Sequence, residues 1–310
     1  MMPTLDQIDR FLTERFGPVA DLVTLQGGGW SSAYGFATGS DEWVLRVGHQ
    51  RDDFEKECVA ATWRQPGLPV PEVLEMGDAL GCHAVVTRRH HGTKLADLET
   101  ARVPAAIEGL FEVLAAIRRV ELPGEGYGIW LAPGADAPAA SWPEYLCSVA
   151  DRDEVRLVGW RRKLSAHPSA SDAFRRGGAA LARRSDAIPA TRGLVHADLL
   201  LNHLIGPDGS ITAVFDWGNA LAGDPLYDIA WIVYCIPWFP AIDRRQVLDL
   251  ARLRFPDDDI DGLLPLYELH IALGELQYAA FREDVAGMEG ASGRLGRLIA
   301  ASDEQERSGS

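Results

Sequence analysis

Apolar residues recur at helical spacing near the start of the chain, where Leu5, Ile8, Phe11, Leu12 and Phe16 punctuate a charged stretch and predict an amphipathic helix. The period then changes. Asp21 to Leu25 and Tyr34 to Thr38 read as strands, and Glu42 to Val47 alternates as a third, placing Arg46 on one of its faces. Helical spacing returns from Asp52 to Arg64, with Phe54, Val59, Ala60 and Trp63 as its apolar side, and Val73 to Met76 and His83 to Thr87 read as two more strands. Further on, Pro104 to Val120 carries Ile107, Leu110, Phe111, Leu114 and Ile117 at helical spacing and predicts a core helix. Residues 203–205 and 211–215 are short apolar runs flanking Gly206-Pro207-Asp208-Gly209, a strong turn signal, so they predict a β-hairpin. A helix starting near Asp224 runs inward through Trp231, Ile232 and Tyr234 until Pro237-Trp238-Phe239-Pro240 breaks it, and Leu264 to Phe281 forms another.

Candidate chemistry gathers between Leu194 and Ala230. Leu194 and Val195 belong to the core, and His196-Ala197-Asp198 then leaves it, putting a carboxylate where the chain turns toward solvent. The hairpin brings Asp216, just before Trp217, back beside that loop, so two acids 18 residues apart converge as phosphoryl transfer requires. Upstream, Gln26-Gly27-Gly28-Gly29-Trp30-Ser31-Ser32 joins two strands as a glycine-rich loop whose amides can face phosphate without side-chain hindrance.

At His196-Ala197-Asp198, at Ile211 to Val214 leading into Asp216-Trp217, and at Val44 to Val47 and Leu68 to Leu74, the chain resembles the aminoglycoside phosphotransferases, from about residue 5 to about residue 285. The resemblance implies a two-lobed, protein-kinase-like α+β fold: a β-rich nucleotide lobe over 1–91 and a mainly helical catalytic and substrate lobe over 92–310. It implies Asp198 as the base that takes the proton of the attacking hydroxyl and Asp216 as the ligand of magnesium on the nucleotide phosphates. ATP is the expected donor, with GTP as the alternative, and magnesium the expected ion, with manganese as the alternative. Gly28, Gly29, Ser31 and Ser32 would cover the phosphates, and the Arg88 carbonyl and His90 amide in the connector 88–92 would meet the adenine edge. Arg46 stands where kinases carry a phosphate-gripping lysine; the chain has only Lys56, Lys94 and Lys163, none on that strand. Arginine can do this work through its bidentate fork, with Glu57 as its natural partner and Glu55 as the alternative.

One position departs from the family pattern. Five residues after Asp198, where the family has a metal-binding asparagine, stands His203, and Asn202 comes one residue early. Imidazole is a poor ligand for magnesium and a fair one for manganese or zinc. Three readings stay open: Asn202 swings in, His203 itself touches metal or phosphate, or the site is weakened. On the acceptor side, Trp238 could wall a sugar site. Glu268 and Glu275 share one helix face with Tyr278 a turn beyond, and Glu275 would bind ammonium groups if that face meets the cleft, or be a solvated acid if it does not. Gly124 to Pro143, with Tyr127, Trp130 and Trp142, resembles the loop that opens the substrate cleft, or else packs over a lobe edge. Asp224 and Asp228 read as helix-start acids with a structural role.

The charge balance, 45 acidic against 30 basic residues for a net −15, disfavours nucleic acid and suits a cationic acceptor. The expected activity is therefore an antibiotic kinase acting on an aminoglycoside or aminocyclitol, hygromycin B first among them; the alternatives are another antibiotic or metabolite as acceptor, or a silent nucleotide-binding module. Four cysteines without a Cys-x-x-Cys spacing read as buried thiols. No signal-peptide core or bilayer-length apolar run occurs, so a cytoplasmic monomer without membrane contact is expected, with a polar, frayed tail over 302–310.

Overall fold

Thr4 opens the first helix: its hydroxyl accepts from the Gln7 amide while the Gln7 side chain reaches back to the Thr4 amide, a reciprocal cap for α1 (Leu5–Phe16). Ile8 and Leu12 of α1 bury completely against Phe36, Trp43, Leu45 and Val47 of an antiparallel sheet. In the computed structural model, which describes residues 3–25, 29–129, 136–150 and 157–309, that sheet comprises β1 (Ala20–Leu25), β2 (Ser31–Thr38), β3 (Asp41–Gly48), β4 (Val73–Ala79) and β5 (Cys82–Arg88), in the spatial order β1-β2-β3-β5-β4. β3 is thus the central strand. Its period of two sends Trp43, Leu45 and Val47 into the core with α1 and turns Arg46 to the opposite face.

That second face receives α2 (Arg51–Thr62). Its buried residues are Asp53, Phe54, Lys56, Glu57 and Ala60, which corrects the expected apolar side: Val59 is only half-buried, and three charged residues are buried in its place. Hydrophobic periodicity could not show this, because the partners of those charges lie on other elements.

The chain divides into two compact units. The first holds everything described so far, together with α3 (Val103–Ile117) and residues 198–220. The strand β6 (Gly193–Val195) leads into this last segment, whose hairpin is β7 (His203–Ile205) and β8 (Ile211–Val214), paired His203 to Val214 and Leu204 to Ala213. Gly109 of α3 approaches the hairpin turn so closely that a Cβ there would lie 2.6 Å from the Gly209 carbonyl oxygen, and Gly209 itself sits at φ +85°. Thr93 and Ile205 exchange backbone hydrogen bonds at 2.9 Å. α3, expected in the core of the helical lobe, and both acidic loops therefore group with the sheet.

The second unit holds 124–129, 136–197 and 221–309 among the described residues. It contains α4 (Trp142–Cys147), α5 (Trp160–Ser165), α6 (Pro168–Arg183), β6 paired with β9 (Leu221–Gly223), α7 (Leu226–Cys235), α8 (Arg244–Arg254), α9 (Ile260–Arg282) and α10 (Val285–Gly309). Trp142 is fully buried, stacks on Tyr145 at 5.4 Å and donates to the Tyr267 hydroxyl at 3.3 Å, so it packs the interior. Tyr127 donates to the Ala190 carbonyl at 2.7 Å, and Trp130 lies outside the described residues. Asp224 is structural as expected, accepting from the Leu226 amide and from the Tyr267 hydroxyl at 2.6 Å.

Two further expectations change. Cys82 and Cys235 are buried, but Cys58 and Cys147 are half-buried; all four are free thiols. The polar tail is helical through Gly309, anchored where Arg184 donates to the buried Ser302 at 2.8 Å and Arg183 pairs with Asp303 at 3.2 Å. Among the described residues no helix is long and apolar enough to cross a membrane.

Candidate active site

Asp198 follows a strained corner. Ala197 adopts φ +61°, a conformation that costs a non-glycine residue about 1 kcal/mol or more and persists only where neighbours hold it. The holder is Asp228, on the first turn of α7, which is almost fully buried and accepts from the His196 amide at 2.9 Å and the Ala197 amide at 2.8 Å. Asp228 is thus the helix-start acid that was expected, and it has the further task of holding a distant corner. No local pattern could have shown it, because the bonds join residues 31 and 32 positions apart. Asp198 itself is half-buried.

Asn202 donates its side-chain amide to the Asp198 carbonyl at 2.9 Å. That bond uses the nitrogen and leaves Oδ1 uncommitted to it. His203 is 2% exposed and donates from Nδ1 to the Leu199 carbonyl at 2.9 Å. A carbonyl only accepts, so the ring's other nitrogen carries the lone pair. Burial also lowers the His203 pKa, favouring the neutral ring.

Asp216 adopts φ +61° and ψ 64°, just before the short helical turn Trp217–Asn219. Arg46 reaches it across the first unit, with Nη2 3.6 Å from Oδ1. The same guanidinium pairs through Nη1 with Glu57 of α2 and donates through Nη2 to the Ser31 hydroxyl at 3.1 Å. Both members of the Arg46–Glu57 pair are largely shielded, with side chains 15% and 7% exposed, so the attraction is little screened and the pair fixes the head of the arginine. Glu55 pairs instead with Arg51 at 2.8 Å, within α2. Of the glycine-rich loop, Gly28 lies outside the described residues, Gly29 is exposed, and Ser31 and Ser32 open β2. In the connector, the Arg88 side chain stacks on Trp43 at 4.3 Å and bonds Asp41 at 3.1 Å, and the half-buried His90 follows it.

The donors suit a hard divalent cation. Asp216 and Asn202 each offer side-chain oxygen, and among the described residues no three His, Cys, Asp or Glu side chains gather into a cage. Magnesium is typically held by one or two carboxylates together with substrate phosphates.

In the second unit a separate cluster forms. Trp238 is 51% exposed. Arg294 of α10 stacks on its ring at 4.0 Å and on the Tyr234 ring at 4.4 Å, and donates to the Tyr234 carbonyl at 2.9 Å. The Tyr234 hydroxyl donates to Glu275, which is therefore an engaged acid. Tyr278 is exposed on the same helix. Burial pushes Glu268 above the usual glutamate range to about 7, against the pull of Arg244 and Arg294. Arg294 went unread in the sequence, where a lone arginine in a charged helix carries no signal.

A two-acid loop system with an arginine–glutamate pair, on a β-rich first unit followed by helices, defines a nucleotide-dependent phosphotransferase of protein-kinase-like fold. The chain belongs to the phosphotransferase enzyme family APH, whose model matches residues 23–266. Among its relatives is hygromycin-B 4-O-kinase of Escherichia coli, 30% identical over 299 residues that cover 96% of this chain and 85% of that protein. A solved thermostable mutant of aminoglycoside phosphotransferase APH(4)-Ia, in ternary complex with AMP-PNP and hygromycin B, matches with a TM-score of 0.84 at 30% identity, over 95% of this chain and 98% of that one. The GDP complex of wild-type aminoglycoside 2'-phosphotransferase-IIIa shares the fold, with a TM-score of 0.65 at 16% identity over 96% and 99% of the two chains.

Two outcomes test these assignments. Asp228→Ala strips two buried amides of their acceptor and, if Asp198 is the base, should lower kcat by about 100-fold with little change in nucleotide KM, measured by steady-state kinetics. Glu268 titrates near 7 when folded and near 4.3 when unfolded, so folding takes up a proton between those values and the native state loses stability as pH rises through 7. Glu268→Gln should therefore melt higher than the wild type at pH 8, with the advantage shrinking toward pH 5.

Proposed function

We propose that the protein is an antibiotic kinase that transfers the γ-phosphoryl group of ATP to a hydroxyl of an aminocyclitol aminoglycoside, hygromycin B being the leading acceptor. The observation that carries this reading is the convergence of Arg46 on Glu57, Ser31 and Asp216, beside a loop in which Asn202 is bonded to Asp198. The names of the 30%-identical relatives supply the acceptor class.

In this scheme Asp198 orients the acceptor hydroxyl and takes its proton, and Arg46, held by Glu57, grips the phosphates through its fork. Ser31 and Ser32, with Gly28 and Gly29, cover the phosphates, and the Arg88 carbonyl and His90 amide meet the purine edge. Asp216 and Asn202 would hold magnesium, which supplies neutralisation of phosphate charge when bound. Asn202 takes this role rather than His203, because its amide nitrogen is committed to the Asp198 carbonyl and its Oδ1 is the hard oxygen that magnesium prefers, whereas His203 offers only the nitrogen of a ring that is 2% exposed. Glu275 takes an ammonium group of the acceptor, and Trp238, clamped on one side by Arg294, offers its ring to a sugar. A phosphate on such a drug cancels part of the cationic charge with which it binds ribosomal RNA.

Incubation of purified protein with hygromycin B, ATP and Mg2+ should raise the drug mass by one phosphate, and Asp198→Ala should cut the rate by at least about 100-fold. No mass gain with hygromycin B or any aminoglycoside of a panel would reject the reading. His203→Asn should leave turnover within about threefold of wild type, since the imidazole is a buried nitrogen donor that magnesium does not favour; loss of activity would give His203 a task of its own.

A further inference from the structure

Lys56 is completely buried, in a chain with three lysines. Burying an ammonium costs several kcal/mol unless it is well paired, and a Leu or Met would fill the same space more cheaply. Its Nζ donates to the Gly218 carbonyl at 2.8 Å, 162 residues along the chain and two residues after Asp216. Asp53 stands one turn earlier on the same face of α2, and its carboxylate occupies the place a Gly218 side chain would need: a Cβ there would lie 2.5 Å from Oδ1. Beyond the C-terminal end of the helix, Trp63 meets Trp217 edge to face at 5.6 Å. Asp53, Lys56 and Trp63 thus hold Gly218 and Trp217, the two residues that follow the left-handed Asp216. The next residue on the helix, Glu57, holds Arg46.

We propose that Lys56 is a positioning residue that clamps α2 to the Asp216-Trp217-Gly218 segment, so that one helix sets both the phosphate-gripping Arg46–Glu57 pair and the metal-binding aspartate. The inference rests on the kinase reading above and adds to it a residue outside the phosphate, metal and proton-transfer groups. Asp216 needs such a clamp because its own backbone conformation is unfavourable and its direct contact with Arg46 is a long 3.6 Å. Fixing the Gly218 carbonyl fixes the orientation of the short turn that begins at Asp216. A packing role alone would predict a uniform loss of stability. A clamp predicts a selective loss of the metal's contribution.

The test is calorimetric binding of ADP, with and without Mg2+, to wild type, Lys56→Met and Lys56→Arg, with circular dichroism as the check on folding. Lys56→Met should bind metal-free ADP about as tightly as wild type and lose about tenfold or more of the affinity gained from Mg2+, the size expected when a group supporting a metal ligand is removed. Lys56→Arg, which can still donate to a carbonyl, should recover most of that gain. If methionine does not fold, Lys56→Leu carries the same comparison, again without a donor. A full magnesium gain retained in the Met or Leu variant overturns the clamp alone, as does equal loss of affinity with and without metal. Absence of any magnesium gain in the wild type overturns the kinase reading together with it.

Discussion

Everything in the first unit is arranged around the head of Arg46. One guanidinium on the central strand touches a helix glutamate, a serine at the mouth of the glycine-rich loop and the aspartate that precedes Trp217. A planar fork can make these contacts together in a way that a lysine's single ammonium cannot. With both partners shielded, losing Glu57 would leave a largely buried positive charge with only the 3.6 Å contact to Asp216, so the position of α2 is bound to the strand by electrostatics as well as packing.

Two residues in left-handed conformations, Ala197 and Asp216, mark the functional loops. Neither is glycine. Each is held by a buried charge from elsewhere in its own unit: Asp228 accepts the amides that shape the corner before Asp198, and Lys56 donates to the carbonyl that follows Asp216. Strain placed just before Asp198 and at Asp216, with buried polar contacts beside it, makes the geometry of these loops depend on a few specific residues. Hydrophobic burial is non-directional and would hold such corners loosely.

The acid and aromatic group of the second unit is organised by a different logic. Arg294 lies over two rings and bonds a backbone carbonyl, which keeps Trp238 in place while half of it faces water. Glu275 is steadied by a tyrosine hydroxyl, and Glu268 sits where burial opposes its charge. An acidic surface thereby presents carboxylates in two states of readiness, one engaged and one close to neutrality at physiological pH.

Local pattern determined a great deal by itself. The alternation that turns Arg46 away from the core, the hairpin around Gly206 to Gly209, the long helix bearing Glu268 and Glu275, and the pairing of Arg46 with Glu57 over Glu55 were all legible, because each depends on neighbours a few residues away or on a motif with fixed spacing. Tertiary structure decided the rest. Asp228 reads locally as a cap, Lys56 carries no local signal of burial, and Trp142 reads as a loop aromatic although it fills the interior. Which carbonyl Asn202 and His203 each meet likewise shows only in the folded chain. The physical reason is common to them all: a buried charge or polar group is permitted only by its partner, and here the partner lies as many as 162 positions away, beyond the reach of any periodicity.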